Sequence, residues 1–492
     1  MSSRFTMRCG FMAGLIFALL ALSWAVPSAS AATGAGKDVC TGCVNIRVGI
    51  ARVVRGPGAN MADNRFTEIE LPDGLFRGFD AHNDTRAIDG RDPADMGGPQ
   101  RTVMGPGKPA TYDSCGRWLN HAEVEGATTL GFVHAETACD YAIGQTHKSM
   151  AAAISDDYGL TWRDLGQIIT GTDVPTARKN TGEGDCTVVN GQDGYRYAYC
   201  FRARDGGLIV ARSPVSTPGP GHWTKFFQGA WDQPGLGGDA TRLAGGSGVS
   251  VAWWTTGHEF VLTGWVKGGL GLFLTTDHTT LAPLSDPLLA VDPGQWTRPA
   301  PSELIFYPVL LDAGNGSNQL SNRWMLIYAY IPPNADGNQK YLVFRDVTVS
   351  PVSDVTGPHV GVQLARWYAP TLHDRWSTTA AVPAKDNVYT LDTTSGYLMT
   401  AAPGGVASVE LEDCVSQRPG HPDHLLAEKG FCEAHAYQRL RTAGWVYAQS
   451  APNTIPLYRC YDARMQSHFA SNTPDCEKLG AAERLLGYAL KQ

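Results

Sequence analysis

Acids at the ends of apolar strands are the residues of this sequence best placed to do chemistry. Glu136 closes the run Leu130-Gly-Phe-Val-His-Ala-Glu, and His134, two residues earlier, falls on the same face of a strand. Asp185 stands in Gly182-Glu-Gly-Asp-Cys-Thr-Val-Val, immediately before an apolar stretch, and Asp80 and Asp84 lie in Gly78-Phe-Asp-Ala-His-Asn-Asp-Thr. Two carboxyl groups on different strands facing one cavity are what cleavage of a glycosidic bond requires. One protonates the leaving oxygen and the other activates water or attacks carbon. A carboxyl buried in such a cavity is expected to titrate high and act as the acid, while a better solvated one stays ionised. On that logic Glu136 is the expected acid and Asp80 or Asp84 the base or nucleophile. Asp185 is then a modulator that also holds a sugar hydroxyl. The plainer reading of each is a turn acid capping a backbone NH, and it is the reading given to Asp113, Asp140, Asp157 and Asp312.

His134, Trp253, Trp254 and His258 are the candidate substrate-binding residues. The paired tryptophans, with Trp265, offer rings on which a sugar would stack, or they pack between sheets. His134 and Glu136 share a spacing that suits zinc. No third ligand is in view, so no metal or other cofactor is expected. There is no Gly-x-Ser-x-Gly elbow, P-loop or dinucleotide fingerprint.

Short strands must position these groups. From Val44 to Ser350 the chain runs through segments such as Thr129-Leu-Gly-Phe-Val-His, Tyr195-Arg-Tyr-Ala-Tyr-Cys-Phe and Arg323-Trp-Met-Leu-Ile-Tyr-Ala-Tyr. Gly, Pro, Asn and Asp clusters divide them, and there is no long helical period. The 56 glycines and 30 prolines suit a turn-rich all-β chain. Ser155-Asp-Asp-Tyr-Gly-Leu-Thr-Trp162 fits S-x-D-x-G-x-T-W and resembles the Asp-box turn of sialidase-like and related propellers. In that turn Asp157 ties down the backbone, Gly159 takes a left-handed conformation and Trp162 packs between blades. A strand followed by a tryptophan recurs at Trp223 and Trp296. At about 50–60 residues per four-stranded blade, the span holds five blades. In this cadence the stretch resembles the clan of five-bladed glycoside hydrolases that includes arabinanases, arabinofuranosidases and fructosidases. A clear Trp-Met-Asn-Asp opening is absent, so placement within the clan stays open.

Beyond Ser350-Pro-Val-Ser-Asp-Val-Thr-Gly-Pro358, three phrases repeat at roughly 45-residue spacing. They are Leu364-Ala-Arg-Trp-Tyr with His373-Asp-Arg-Trp-Ser and Gly396-Tyr-Leu; Val409-Glu-Leu-Glu-Asp-Cys with His421-Pro-Asp-His-Leu-Leu and Gly444-Trp-Val-Tyr; and Pro456-Leu-Tyr-Arg-Cys-Tyr with Ser467-His-Phe-Ala-Ser and Gly487-Tyr-Ala-Leu. No single unit can bury a face alone; stacked about a pseudo-threefold axis they share one core, as in a β-trefoil. The phrases resemble short repeat domains at the ends of secreted bacterial proteins. The expected fold is therefore all-β, a five-bladed β-propeller over 44–350 followed by a small β-trefoil-like domain over 360–492.

Residues 1–31 read as a signal peptide: Arg4 and Arg8, an apolar run from Gly10 to Val26, and the small-residue site Ala29-Ser30-Ala31. An exported protein is expected, with no membrane span in the mature chain. Ten cysteines follow the signal and fall into neighbours: Cys40 with Cys43, Cys115 with Cys139, Cys186 with Cys200, Cys414 with Cys432, and Cys460 with Cys476. A formal net charge of -7 gives no electrostatic reason to bind nucleic acid. The composite expectation is a secreted glycoside hydrolase acting on a polysaccharide or oligosaccharide, with an accessory glycan-binding domain. A non-catalytic lectin-like or surface-attachment protein and a sialidase are the alternatives. Oligomeric state is left open.

Overall fold

Apolar runs bounded by turn residues become strands in the computed structural model, and among the described residues helix is limited to single turns such as Phe431–Ala434. The structure describes residues 42–58, 63–245, 248–284, 286–291, 303–352, 359–382, 388–416, 418 and 420–491. The expected signal peptide, Cys40 and Trp296 lie outside them.

Five antiparallel sheets follow one another along the chain. The first holds Thr67–Glu70, Phe76–His82, Asp84–Gly90 and Gln100–Met104. The second holds Gly116–Glu125, Thr128–Asp140, Gln145–Ser155 and Arg163–Thr170. The third runs from Asn180–Asn190 through Tyr195–Arg202 and Gly207–Pro214 to Thr224–Phe227. The fourth runs from Ser250–Trp254 through Glu259–Val266 to Gly269–Thr275. The fifth pairs Leu304–Asp312 with Arg323–Ile331 and Lys340–Pro351.

The first strands of successive sheets pack side by side, and a separate apolar layer fills each gap between sheets. Phe79 and Ala87 meet Leu119, Val133 and Ala151 between the first and second. Phe132 and Met150 meet Val188 and Ile209 between the second and third. Tyr199 and Val210 meet Val251 and Leu262 next, then Leu272 and Ala252 meet Leu326 and Tyr328. The ring shuts where Phe66, Phe76 and Ile88 of the first sheet meet Val309, Leu311 and Phe344 of the fifth. Five gaps and five layers make a five-bladed propeller.

The Asp-box turn behaves as its sequence implies. Asp157 accepts from the amides of Leu160 (3.0 Å) and Thr161 (2.8 Å), Gly159 has φ +82, and Trp162 stands edge-on to Phe79 of the neighbouring blade at 6.0 Å. Trp223 does the same against Phe132.

The start of the chain completes the last blade. Arg52–Gly58 and Val44–Val48 both pair antiparallel with Lys340–Pro351, and Val44–Val48 also pairs parallel with Val360–Ala369 of the C-terminal region. That region consists of three units of three strands, in each of which the first strand pairs with the other two. Leu364, Leu411 and Leu457, the equivalent apolar positions, meet in one core. The polar turns hand hydrogen bonds from unit to unit: the His424 amide to Asp374 (3.3 Å), the His468 amide to Asp423 (2.8 Å), and the Arg375 amide to the Ser467 hydroxyl (2.9 Å). The disulfides Cys115–Cys139, Cys186–Cys200, Cys414–Cys432 and Cys460–Cys476 all form.

Because Ile46 and Val48 are fully buried in the layer between the fourth and fifth sheets, truncating either is costly. Ile46→Ala is expected to lower the unfolding free energy by about 2–5 kcal/mol, read from the midpoint of denaturant unfolding. An unchanged midpoint would show that this strand adds nothing to the stability of the fifth blade.

Candidate active site

Asp63, just before the first inner strand, and the leading halves of the inner strands of the second, third and fifth blades open onto one end of the ring axis. There they wall a funnel of about 790 Å³, lined by Asp63, Trp118, His134, Glu136, Tyr141, Lys148, Asp185, Tyr307 and Lys340, among others. Glu136 reaches it from the middle of the second blade, where it lies opposite Gly116 on one side and Lys148 on the other. His134 shares its face, as the two-residue spacing requires.

Asp185 arrives from the third blade on an irregular stretch of strand. The register of Asn180–Asn190 shifts between Gly184 and Thr187, and Asp185 itself has φ +50. Bulges of this kind re-aim side chains beside active sites. Gly184 permits the approach: a Cβ there would lie 2.6 Å from the His134 Nδ1. The Asp185 amide donates to that Nδ1 at 3.0 Å. The imidazole therefore carries its proton on Nε2, which points at Glu136 Oε1, 3.1 Å away.

One ammonium joins the two acids. Lys148 Nζ lies 2.6 Å from Glu136 Oε1 and 3.0 Å from Asp185 Oδ2. The Tyr141 hydroxyl donates to Glu136 Oε2 at 2.8 Å. Glu136 is thus saturated on both oxygens. Asp185 is not: its Oδ1 has His134 Nε2 at 3.7 Å, beyond hydrogen-bond range, and its side chain is 16% exposed. Burial would push both carboxyls up, but Lys148 and His134 outweigh it. Glu136 is held far below the usual carboxylate range and Asp185 falls to about 2. Lys148, buried between two carboxylates, is driven above its ordinary value by Asp185 and Glu136.

The expectation that Glu136 titrates high is therefore reversed. The reason is Lys148, which the sequence reading did not single out although it lies on a neighbouring strand in direct register with Glu136. In the same funnel, Asp63 Oδ2 holds His82 Nδ1 at 3.0 Å and Asp63 Oδ1 lies 3.6 Å from Lys340. Asp63 also escaped the sequence reading. It precedes Thr67–Glu70, whose four residues Thr-Glu-Ile-Glu carry too little apolar signal to announce an inner strand.

The structure brings Glu136, Asp185 and His134 together and leaves the other candidates elsewhere. Asp80 is buried on the second strand of the first blade, where Gln100 donates to it at 3.3 Å, and Asp84 pairs with Arg86 and Thr102. Neither lines the funnel. Trp253, Trp254 and His258 lie at the far end of the fourth inner strand or just past it. Trp254 packs edge-on to Trp324 and donates to Asn322, while Trp253 packs on Phe260. They are packing residues and a turn residue, away from the funnel. Among the described residues no three His, Cys, Asp or Glu side chains are grouped to hold a metal ion, and no helix is long and apolar enough to cross a membrane.

No family model and no curated protein sequence matches the chain. Several solved structures resemble it. A family 117 glycoside hydrolase produced by the marine bacterium Zobellia galactanivorans is 8% identical, covering 63% of this chain and 91% of that one, with a TM-score of 0.43. A GH43_1 enzyme from Xanthomonas citri is 13% identical (63% and 92% covered, TM-score 0.38). An endo-arabinase from Bacteroides thetaiotaomicron is 12% identical (62% and 100% covered, TM-score 0.36).

The shared ammonium sets a pH signature. Carboxyls depressed in the fold contribute stability that is full above their ordinary values of 4.5 and 3.8 and is lost as pH falls toward 2. Lys148→Met leaves two buried carboxylates facing each other and is expected to cost about 3–5 kcal/mol at neutral pH. That deficit shrinks as pH drops below 4.5 and the carboxyls protonate. Denaturant unfolding of both proteins between pH 3 and 7 checks it; a deficit independent of pH would refute the pairing.

Proposed function

We propose that the chain is an exported glycoside hydrolase that cleaves its substrate in the axial funnel. The observation that carries this reading is the half-free carboxylate of Asp185, fixed by Lys148 on one oxygen and open to the cavity on the other. Asp185, kept ionised, suits the role of base toward water. In the same funnel, His82 is held through Nδ1 by Asp63, the arrangement in which an imidazole passes a proton through its other nitrogen. In this scheme His82 protonates the leaving oxygen while water yields its proton to Asp185 and adds to the sugar carbon. Glu136, saturated by three donors, keeps Lys148 and His134 in place. This replaces the expectation that Glu136 is the acid.

A family 117 glycoside hydrolase and an endo-arabinase are among the resembling solved structures, and four disulfides suit export. The C-terminal three-repeat region is read as a β-trefoil-like accessory module that keeps the enzyme near its glycan, raising the local substrate concentration. A sialidase reading lacks support: no arginine lines the funnel among the described residues.

One observation favours a second reading. Both bridged carboxylates stay ionised, as in a site that grips sugar hydroxyls without cleaving, so glycan binding alone is the rival.

Screening purified protein on plant and bacterial cell-wall glycans separates the two. Under the hydrolase reading sugars are released, Asp185→Asn lowers kcat by at least about a hundredfold, and His82→Ala lowers kcat less on substrates whose leaving group needs no protonation than on those whose leaving group does. Binding without any release, in a folded protein, would leave the lectin-like reading standing.

A further inference from the structure

The opposite mouth of the ring holds a second cavity, of about 400 Å³, that the funnel chemistry does not use. It lies where the first inner strand ends, at Thr67–Glu70, and is lined by Glu68, Glu70, Glu123, Asn190, Ser317 and Asn318 among others, with no lysine or arginine among the described residues. Acidic lining alone would mean little. Glu68 is different: it is 3% exposed, and neither of its carboxyl oxygens has a hydrogen-bond partner. The carboxyl is pressed against Gly316, where a Cβ would sit within 1.6 Å of Oε1, so this approach exists only because position 316 has no side chain. Asn190 donates to Glu123 Oε2 at 2.8 Å while its own Oδ1 is unpartnered. Glu123 already has a cation, Arg196 at 2.6 Å. Glu68 has none.

We propose that this cavity binds a small primary ammonium that carries hydroxyls, of the amino-sugar kind, with Glu68 as its counter-ion. An ammonium has three donors and no acceptor, which matches the unspent acceptors of Glu68 and Asn190. A hard metal ion needs a denser set of charged ligands, and no such group is found among the described residues. The space exceeds an ammonium alone, and Ser317 and Asn318 are the partners that hydroxyls would take. Burial and the nearby Asp92 push the Glu68 carboxyl up, and a bound ammonium would supply the positive charge that this place lacks. The other titratable groups facing it are Glu70 on its own strand and His121 and Glu123 on the second blade. This site is separate from the funnel and does not rest on the hydrolase reading.

Calorimetry of the full chain with D-glucosamine as the probe tests the proposal. Glucosamine should bind with a measurable heat that saturates at one molecule per chain. Glucose and N-acetylglucosamine should bind at least about tenfold more weakly, since a charge-assisted bond is lost. Glu68→Gln should weaken glucosamine by a similar factor, and Asp185→Asn should not. Should Glu68→Gln fail to fold, Asn190→Ala is the second variant, and the comparison of the three sugars on the unaltered protein stands by itself. Equal binding of the neutral sugars, binding of calcium in place of glucosamine, loss of binding in Asp185→Asn, or no binding at all would each overturn it.

Discussion

One buried ammonium, that of Lys148, decides the character of the funnel. Two carboxylates brought this close in a largely desolvated place would repel each other, and one would take up a proton, if left alone. The ammonium between Glu136 and Asp185 lets both stay ionised, and it divides their labour. Glu136 spends both oxygens on Lys148, His134 and Tyr141, whereas Asp185 spends one and presents the other to the cavity. A pair of buried charges is a poor source of stability in general. Its persistence here marks a site built to hold an anion ready.

That arrangement depends on the ring. Lys148 and Glu136 come from neighbouring strands of one blade, but Asp185 comes from the next, and Asp63 with His82 from the first. They converge only because five inter-blade apolar layers close the circle and because the first strands of the chain complete the fifth blade. Irregular backbone does the fine adjustment. Asp185 at φ +50 and Tyr307 at φ +48 each interrupt an inner strand at the funnel, the kind of local strain that a rigid surround can maintain.

Much of this was legible in the sequence, for identifiable reasons. Turn-bounded apolar runs and the Asp-box at Ser155–Trp162 imply blades, and the three phrases around Trp376, Leu425 and Phe469 imply three like units, because local patterns carry both signals. Glu136 and Asp185 stand out because each adjoins an apolar run, although the strands that carry them, Thr128–Asp140 and Asn180–Asn190, extend past both. What escaped is what only register reveals. Lys148 meets Glu136 through strand pairing across a hairpin, and Asp63 precedes a four-residue inner strand with little apolar content. Asp80 and Asp84 satisfy the same local rule as Asp185, yet they belong to the second and third strands of their blade and lie outside the funnel lining. The Trp253-Trp254 pair looked like a sugar platform because sequence does not say which end of an inner strand faces the open mouth.

The account stands or falls on where a glycan sits. A crystal structure of the protein with an oligosaccharide that it binds is the most direct measurement. The account predicts a sugar ring in the funnel, with a hydroxyl or a bound water about 3 Å from Asp185 Oδ1 and the linkage oxygen toward His82. A glycan seated on the C-terminal repeats or the outer blade surfaces, with the Asp185 oxygen untouched, would contradict it.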